Sequence, residues 1–230
     1  MDQVVLLSGA TGALGSAFAR HALACGARLA ATVRREWQVE QVRAALGSER
    51  VLVGVVEAQD GEAAAGFVKG ANDALGPITA LVCTAGLFGT HQVGSDPAGE
   101  LLRLVQANLL AGANLARAVL PGMRRRRRGT LTFVGSSAVG RDLPLSANYL
   151  ASKAALHEFV RALALSLDGS GVRAAAILPD TFDTEANREA MPAADRTGWV
   201  SIEQGVLALA DHAFGPGSEG GPLFPVLGNR

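Results

Sequence analysis

The amino-acid sequence predicts an α/β fold in which a parallel sheet is covered by helices on both faces. Short apolar runs of strand length alternate along the chain with longer segments of helical periodicity. Glycine, proline or charged residues separate these segments, as turns between strands and helices require. The chain has 230 residues, of which 49% are hydrophobic and 28 are glycine, and this suits one compact domain. Ligands of such a sheet bind beyond the carboxyl ends of its strands.

The charges of the chain balance, with 21 basic and 21 acidic residues, so no global field draws it to nucleic acid or to an anionic membrane. The longest apolar runs are strand-sized, and the first residues, MDQVVLLSG, lack the charged leader of a secretory signal. We therefore expect a cytoplasmic protein without a membrane segment. The two cysteines, Cys25 and Cys83, suggest no disulfide framework.

The first predicted strand, Val4–Ser8, leads directly into a glycine-rich turn, GATGALG, at residues 9–15. A helical segment follows and stops at Gly26. Glycine allows a ligand to approach the backbone closely, and the amides at a helix N-terminus attract phosphate. The glycines at 9, 12 and 15 differ from the GxGxxG spacing of the most familiar dinucleotide turn. They favour a phosphate site, with a tight turn that binds no ligand as the alternative.

The second predicted strand, Arg28–Val33, ends next to Arg34 and Arg35. In a doubly wound sheet this position approaches the adenosine ribose, where an acid binds the 2′-hydroxyl and an arginine suits a 2′-phosphate. Arg34 therefore favours NADPH over NADH. The alternative is that the two arginines form a solvated charge pair before the next helix.

The middle of the chain continues the alternation. A third strand is predicted at residues 51–56, buried on both faces because it is almost purely apolar, and a fourth at 80–84, with the helix Gly61–Leu75 between them. A long helix follows at 98–123, with Asn108 in its middle and Pro121 and Gly122 closing it. Asparagine lowers helix propensity, so Asn108 invites an explanation. The five arginines at 124–128 are interpreted as a solvated connection that favours the helix C-terminal dipole, rather than as a nucleic-acid site.

A fifth strand at 130–134 ends at Gly135, and YLASK at 149–153 begins a further helix. Residues four apart share one face of a helix, so Tyr149 and Lys153 can both point into one cleft. A nearby cation favours phenolate, and we expect it to lower the pKa of Tyr149 toward working pH.

Together these motifs resemble the short-chain dehydrogenase/reductase family. The resemblance rests on GATGALG, TAG at 84–86, Asn108, SSAVG at 136–140, YLASK and LPDTFDT at 178–184, which occur in the family's order and spacing over nearly the whole chain. It implies one NAD(P)-binding domain over residues 1–230, a Rossmann-type doubly wound sheet of about seven parallel strands with helices on both faces, and a small-molecule substrate. Relatives often pair through the helices that contain Asn108 and Tyr149, so a homodimer or homotetramer is expected.

The resemblance also implies a catalytic tetrad. Tyr149 would donate the proton, Ser137 would orient the carbonyl, Lys153 would bind the ribose and tune the tyrosine, and Asn108 would hold a water relay. The loop before Tyr149 is one residue shorter than usual, which leaves Ser136 as an alternative to Ser137. The cofactor would be NADPH, with NADH possible. It would be bound by Gly9, Thr11, Gly12, Leu14, Arg34, Glu57, Ala85, Gly86, Tyr149, Lys153, Pro179, Phe182 and Thr184.

The stretch from 178 to 199 is most similar to dihydropteridine reductases, which reduce a quinonoid dihydropterin with NADH. The residues at 184–199 would form a mobile, mostly helical substrate lid, within about 180–200. In contrast, Arg34 and Ser137 fit an ordinary carbonyl reductase better than the pterin enzymes. A non-catalytic NADPH-sensing protein is a third hypothesis, which the intact Tyr149 and Lys153 pair disfavours.

The remaining candidates are weaker. His21 and Cys25 are four residues apart on a predicted helix, but no second ligand pair is visible, so no metal site is predicted. His157 follows Lys153 by one helical turn, and a surface or interhelical position is favoured over the cleft. The chain is predicted to end with a helix at 202–213 and a strand at 222–227.

Overall fold

The computed structural model describes residues 3–47, 49–57, 59–143, 145–215 and 224–228. Seven parallel strands form one sheet, and their order in space is third, second, first, fourth, fifth, sixth and seventh, as in the predicted Rossmann-type topology. The strands are β1 Val4–Ser8, β2 Arg28–Val33, β3 Val51–Val55, β4 Ala80–Cys83, β5 Gly129–Val134, β6 Val172–Pro179 and β7 Val226–Leu227.

Helices cover both faces of this sheet and create two apolar cores. Among the described residues, no helix combines the length and the apolar composition that crossing a membrane requires. The helices are α1 Ala13–Ala24, α2 Glu36–Leu46, α3 Gly61–Leu75, α4 Glu100–Val105, α5 Ala111–Arg126, α6 Ala147–Ser166, α7 Glu185–Ala190 and α8 Ile202–Phe214. The first core lies under α3, α5 and α6, and the second under α1, α2 and α8.

Three predicted elements need correction. The third strand is not buried on both faces, because it lies at the edge of the sheet and only Val53 is fully buried. The segment predicted as one helix at 98–123 contains a π-helical turn, Gln106–Leu110. Pro121 does not close the helix either, since α5 continues to Arg126. A proline removes one backbone hydrogen bond, and the packing of α5 on the first core supplies enough contacts to continue the helix.

The arginine run at 124–128, which spans the end of α5, mostly donates hydrogen bonds to backbone carbonyls. Arg126 donates to the carbonyl of Ile78 at 2.8 Å, and Arg124 and Arg127 donate to the carbonyls of residues 166 and 169 at 3.4 and 3.0 Å. These bonds tie the connection between α5 and β5 to neighbouring loops. They support the structural interpretation of the run.

The predicted lid is only partly helical. Of residues 184–199, only α7 is helical, and turns follow it to Trp199. Arg188 forms a bidentate ion pair with Asp183 at 2.6 and 2.7 Å across the base of α7. The final strand is shorter than predicted among the described residues, and positions 222 and 223 of that prediction lie outside them.

Candidate active site

The glycines of the turn after β1 serve two different purposes. Gly9 has a φ of +92°, and a Cβ there would lie 2.5 Å from the Ala85 nitrogen; a Cβ on Gly15 would lie 2.1 Å from the Gly9 oxygen. Both positions therefore require glycine so that the start of α1 can pack against the sheet. Gly12 is different, because the nearest atom to its Cβ would be 3.5 Å away. Packing leaves Gly12 free, so close approach of a ligand is the better reason for a glycine there.

A cavity of about 420 Å³ opens at the carboxyl ends of β1, β2 and β4. The N-terminus of α1 faces it with no side-chain cap and no acidic residue in its first turn, so its amides are free to bind an anion. These features fit a dinucleotide. Seven of the predicted cofactor residues line the cavity: Gly9, Thr11, Gly12, Arg34, Glu57, Ala85 and Gly86.

The basic corner of this cavity is held by a residue that the sequence analysis missed. The backbone N–H groups of Arg34 and Arg35 both donate to Oε1 of Gln38, at 3.1 and 3.0 Å, and Gln38 is buried. Both arginine side chains are exposed and line the cavity, and neither has an acidic partner among the described residues. Gln38 thus fixes the loop and leaves two guanidinium groups for an anion. A glutamine three residues after a helix N-cap was the available signal.

The opposite wall was also missed. Arg103 of α4 and Gln106 of the π-helical turn line the cavity across from the arginine corner. The Nη2 atom of Arg103 lies 3.8 Å from the buried carboxylate of Glu100. A third positive charge therefore borders the cavity, where Glu57 is the acidic residue of the lining.

Six predicted cofactor residues are not part of this cavity's lining: Tyr149 and Lys153, which are described below, and Leu14, Pro179, Phe182 and Thr184. The side chain of Leu14 is buried in the second core, and both it and the ring of Phe182 pack over Gly205. Thr184 caps α7, accepting from the Asn187 nitrogen at 3.2 Å, while Pro179 ends β6. The Phe182 carbonyl accepts a hydrogen bond from the Asn187 side chain at 2.9 Å.

The reaction end of the cleft is built on α6, whose first turn is capped by Ser146. Tyr149 and Lys153 lie one turn apart, as predicted. Lys153 is 6% exposed, and its Nζ donates to the carbonyl of Val134 at 2.9 Å. Burial lowers the pKa of Lys153 to about 8, because a desolvated ammonium is costly.

The pKa of Tyr149 moves in the opposite direction from the one expected. Burial raises it above its ordinary value, and a hydrogen bond with the side chain of Ser136 offsets this only in part. The ring of Phe88 packs against Tyr149 edge to face, with centroids 4.7 Å apart, and contributes to this apolar environment. The ammonium of Lys153 bonds instead to backbone. The prediction that Lys153 lowers the tyrosine pKa is therefore wrong for this arrangement.

The two adjacent serines have different surroundings. Ser136 is buried, its hydroxyl interacts with Tyr149 so as to lower the pKa of the phenol, and its Oγ accepts from the Ala138 nitrogen at 3.3 Å. The Ser137 Oγ is buried without a hydrogen-bond partner among the described residues, while the Ser137 nitrogen donates to the Pro179 carbonyl at 3.0 Å. The Ser136 hydroxyl lowers the pKa of the Tyr149 phenol, which favours Ser136 as the partner of the tyrosine.

Asn108 explains the irregular helix. It lies in the π-helical turn, and its side chain forms a closed pair of bonds with the backbone of Leu87, accepting at 2.7 Å and donating at 3.0 Å. Its Nδ2 also donates to the Ser152 hydroxyl at 2.8 Å. The wider π-helical turn brings this amide into the cleft, a use typical of single π turns.

The loop after β4 joins the two ends of the cleft. A Cβ on Gly86 would lie 3.0 Å from Asn108 Oδ1 and 3.5 Å from Lys153 Nζ, so both side chains converge on this backbone. Beyond it, Phe88 leaves 54% of its surface exposed beside Tyr149 and forms an apolar wall of the cleft. Phe88 was missed, since an aromatic residue in a loop is not a distinctive sequence signal.

The sheet, the phosphate-binding turn and the tyrosine–lysine pair together define a nucleotide-dependent oxidoreductase. The chain belongs to the short-chain dehydrogenase family, whose model matches residues 3–195, and it is an NAD(P)-dependent oxidoreductase of that family.

Named relatives support this assignment. The chain is 33% identical over 172 residues to the inactive 2-(S)-hydroxypropyl-CoM dehydrogenase 2 of Xanthobacter autotrophicus, a match that covers 74% of each protein. It is 30% identical over 188 residues to sulfoacetaldehyde reductase 2 of Chromohalobacter salexigens, covering 80% of this chain and 75% of that protein. The crystal structure of a short-chain oxidoreductase from Burkholderia thailandensis matches with a TM-score of 0.79 at 28% identity, over 91% of this chain and 84% of that one.

Proposed function

We propose that the protein is an NADPH-dependent reductase that transfers hydride to a carbonyl or similar group of a small organic substrate, with Tyr149 as the proton donor. The observation that carries this proposal is the hydroxyl pair of Ser136 and Tyr149. Ser136 follows the end of β5, and Tyr149 lies on α6 one turn before Lys153, which bonds to the same strand end. A non-catalytic protein has no need for such a pair.

The residues of the cleft have complementary tasks. A bound nicotinamide nucleotide would supply the hydride. As negative charge develops on the substrate oxygen, the Ser136 hydroxyl donates a hydrogen bond to it and the Tyr149 phenol donates the proton. The raised pKa of Tyr149 keeps the phenol protonated at neutral pH, ready for reduction. Lys153 would hold ribose hydroxyls of the nucleotide, while Asn108 holds the loop at Leu87 and would hold the water relay.

The cofactor preference rests on the arginine corner. Two exposed guanidinium groups at the end of β2 match a 2′-phosphate, whereas an NADH site places an acid there. NADH is the alternative cofactor. Leu14, Pro179, Phe182 and Thr184 remain proposed cofactor contacts, with the backbone at Phe182 at the nicotinamide amide.

Two alternatives are kept because a specific observation favours each. The similarity of residues 178–199 to dihydropteridine reductases favours a quinonoid dihydropterin, and the ring of Phe88 offers a flat apolar wall for one. The name of the Xanthobacter autotrophicus relative, an inactive dehydrogenase, favours a non-catalytic NADPH-sensing protein. Both alternatives use the same cleft for the nucleotide.

The proposed enzyme is a cytoplasmic homodimer or homotetramer with one domain and a substrate lid at about 180–200. An apolar groove between α5 and α6 supports the pairing of subunits. Leu120, Pro121, Phe159 and Leu163 line it, with Arg117 and Arg124 at its rim.

Steady-state oxidation of NADPH and NADH, measured side by side with ketones, diketones, quinones and quinonoid dihydropterin, tests the proposal. We expect turnover of carbonyls with NADPH, and Tyr149→Phe to lose about 100-fold or more in kcat while its Kd for NADPH changes little. Turnover of the pterin far above the carbonyls would select the dihydropteridine reductase alternative. Tight NADPH binding without turnover of any substrate would select the sensor.

A further inference from the structure

His157 connects the helix that carries Tyr149 to the strand end that carries Ser136. Its Nε2 accepts a hydrogen bond from the backbone N–H of Ser136 at 3.2 Å. The approach is close: a Cβ on Gly135 would lie 2.5 Å from this nitrogen, so only glycine leaves room for the imidazole. The sequence analysis placed His157 at the surface or between helices, and the structure places it behind the catalytic hydroxyls.

A second contact lies beside the first. Lys153 Nζ donates to the carbonyl of Val134, two residues before Ser136. Tyr149, Lys153 and His157 are successive members of one i, i+4 row on α6. Two hydrogen bonds therefore connect α6 to the end of β5. Lys153 bonds the Val134 carbonyl, and His157 bonds the backbone N–H of Ser136, the serine that interacts with the phenol.

This bond requires a neutral imidazole, because a protonated Nε2 cannot accept. Burial, with the charge of Lys153 as a smaller cause, lowers the pKa of His157 to about 4. The other neighbours of the ring are apolar: Leu178 of β6 lies against the same Gly135 position, and the ring of Phe224 is 5.4 Å away. His157 is thus an uncharged acceptor at any pH at which a reductase is assayed.

We propose that His157 is a positioning residue, which fixes the Ser136 backbone and through it the hydroxyl that bonds Tyr149. The proposal rests on the proposed function, in which Ser136 and Tyr149 act together. Removing the acceptor would leave the Ser136 N–H without its partner and release the strand end from α6. The interaction of the Ser136 hydroxyl with Tyr149 would weaken, and since that interaction lowers the pKa of Tyr149, the tyrosine pKa would rise further.

The chain offers a direct reporter, because Tyr149 is its single tyrosine. The ultraviolet absorbance of phenolate during a pH titration therefore reports Tyr149 alone, without any need for turnover. We compare wild type with His157→Leu, which removes the acceptor, and His157→Gln, which supplies an amide oxygen instead. His212→Leu is the matched control, since His212 is likewise a partly buried histidine and bonds Thr132 on the same strand from the other face of the sheet.

We expect His157→Leu to raise the pKa of Tyr149 and to lower kcat by about tenfold, with KM for NADPH changed less than about threefold. His157→Gln should restore both. Ser136→Ala should raise the tyrosine pKa as much as His157→Leu does, and the double variant should raise it no further. His212→Leu should lower the melting temperature and leave the tyrosine titration unchanged.

An unchanged Tyr149 titration in His157→Leu would overturn the proposal, as would equal effects of His157→Leu and His212→Leu. If His157→Leu does not fold, the test falls to His157→Gln. A tyrosine titration curve of His157→Gln that differs from the wild-type curve would then overturn the proposal. A wild type that turns over no substrate, yet shows the expected titration shifts, would reject the proposed function and leave the positioning role intact.

Discussion

The two ends of the cleft are constructed differently. The nucleotide end is made largely of backbone: one contiguous turn, the N-terminus of α1, and a loop held by Gln38. The reaction end is made of side chains from α6, the end of β5 and the π-helical turn, which meet only in the folded chain. A site made of backbone is visible in the sequence as a pattern of glycines. In a site made of side chains, packing determines which of several neighbouring side chains points into the cleft, and the sequence pattern does not show this.

The largest expected effect is on stability, and it distinguishes the glycines of the turn after β1 that are needed for packing from the one that is needed for nucleotide binding. Gly15→Ala places a Cβ 2.1 Å from the Gly9 oxygen, so we expect a loss of about 3 kcal/mol or more in the free energy of unfolding. Gly12→Ala meets nothing closer than 3.5 Å and should cost less than about 1 kcal/mol, yet weaken NADPH binding about tenfold. Urea unfolding and fluorescence titration with NADPH measure both. Equal stability losses would contradict the distinction.

The next effect concerns the two serines. Ser136→Ala should lower kcat about 100-fold, because it removes the hydroxyl that bonds Tyr149, while Ser137→Ala should change kcat less than about threefold. Each variant serves as the other's control, since both remove one buried hydroxyl from the same loop. The reverse order of effects in steady-state kinetics would restore Ser137 as the catalytic serine.

At the nucleotide end, Arg34→Asp should shift the ratio of NADPH to NADH affinity about tenfold toward NADH, because it replaces a phosphate partner with a repelling charge. Arg125→Asp makes the same charge change on the exposed arginine run outside the cavity and should leave the ratio unchanged. Calorimetric titration of each variant with NADPH and with NADH measures the two affinities and therefore their ratio. An unaltered ratio in Arg34→Asp would assign the phosphate contact elsewhere.

The smallest effect is a dependence on pH. Because burial lowers the pKa of Lys153 to about 8, the ammonium is charged below that pH and neutral above it. We expect kcat/KM for NADPH to be constant near neutrality, to reach half its value near pH 8, and to fall further as pH rises. The phenol of Tyr149 stays protonated there because its own pKa is raised, so phenolate absorbance should not change over the same range. A constant kcat/KM up to about pH 10 would contradict this assignment.

Sequence analysis predicted the strands well where each is a short apolar run, as in β1 and β2, whose bounds it matched. It located β3 but wrongly predicted burial on both of its faces, because apolar composition does not reveal which strand lies at the edge of a sheet. It also failed at Pro121, where packing on the core outweighed a local helix-breaking signal.

The sequence by itself determined the fold class, the glycine-rich turn before α1 and the placement of Tyr149 and Lys153 one helical turn apart. Each of these depends on residues within about one helical turn or strand, whose spacing is fixed by local backbone geometry. Tertiary structure alone decided that the Ser136 hydroxyl influences the pKa of the tyrosine, that burial raises this pKa, and that His157 accepts from the end of β5. Those outcomes depend on desolvation and on atoms brought together from distant positions, which local spacing does not encode.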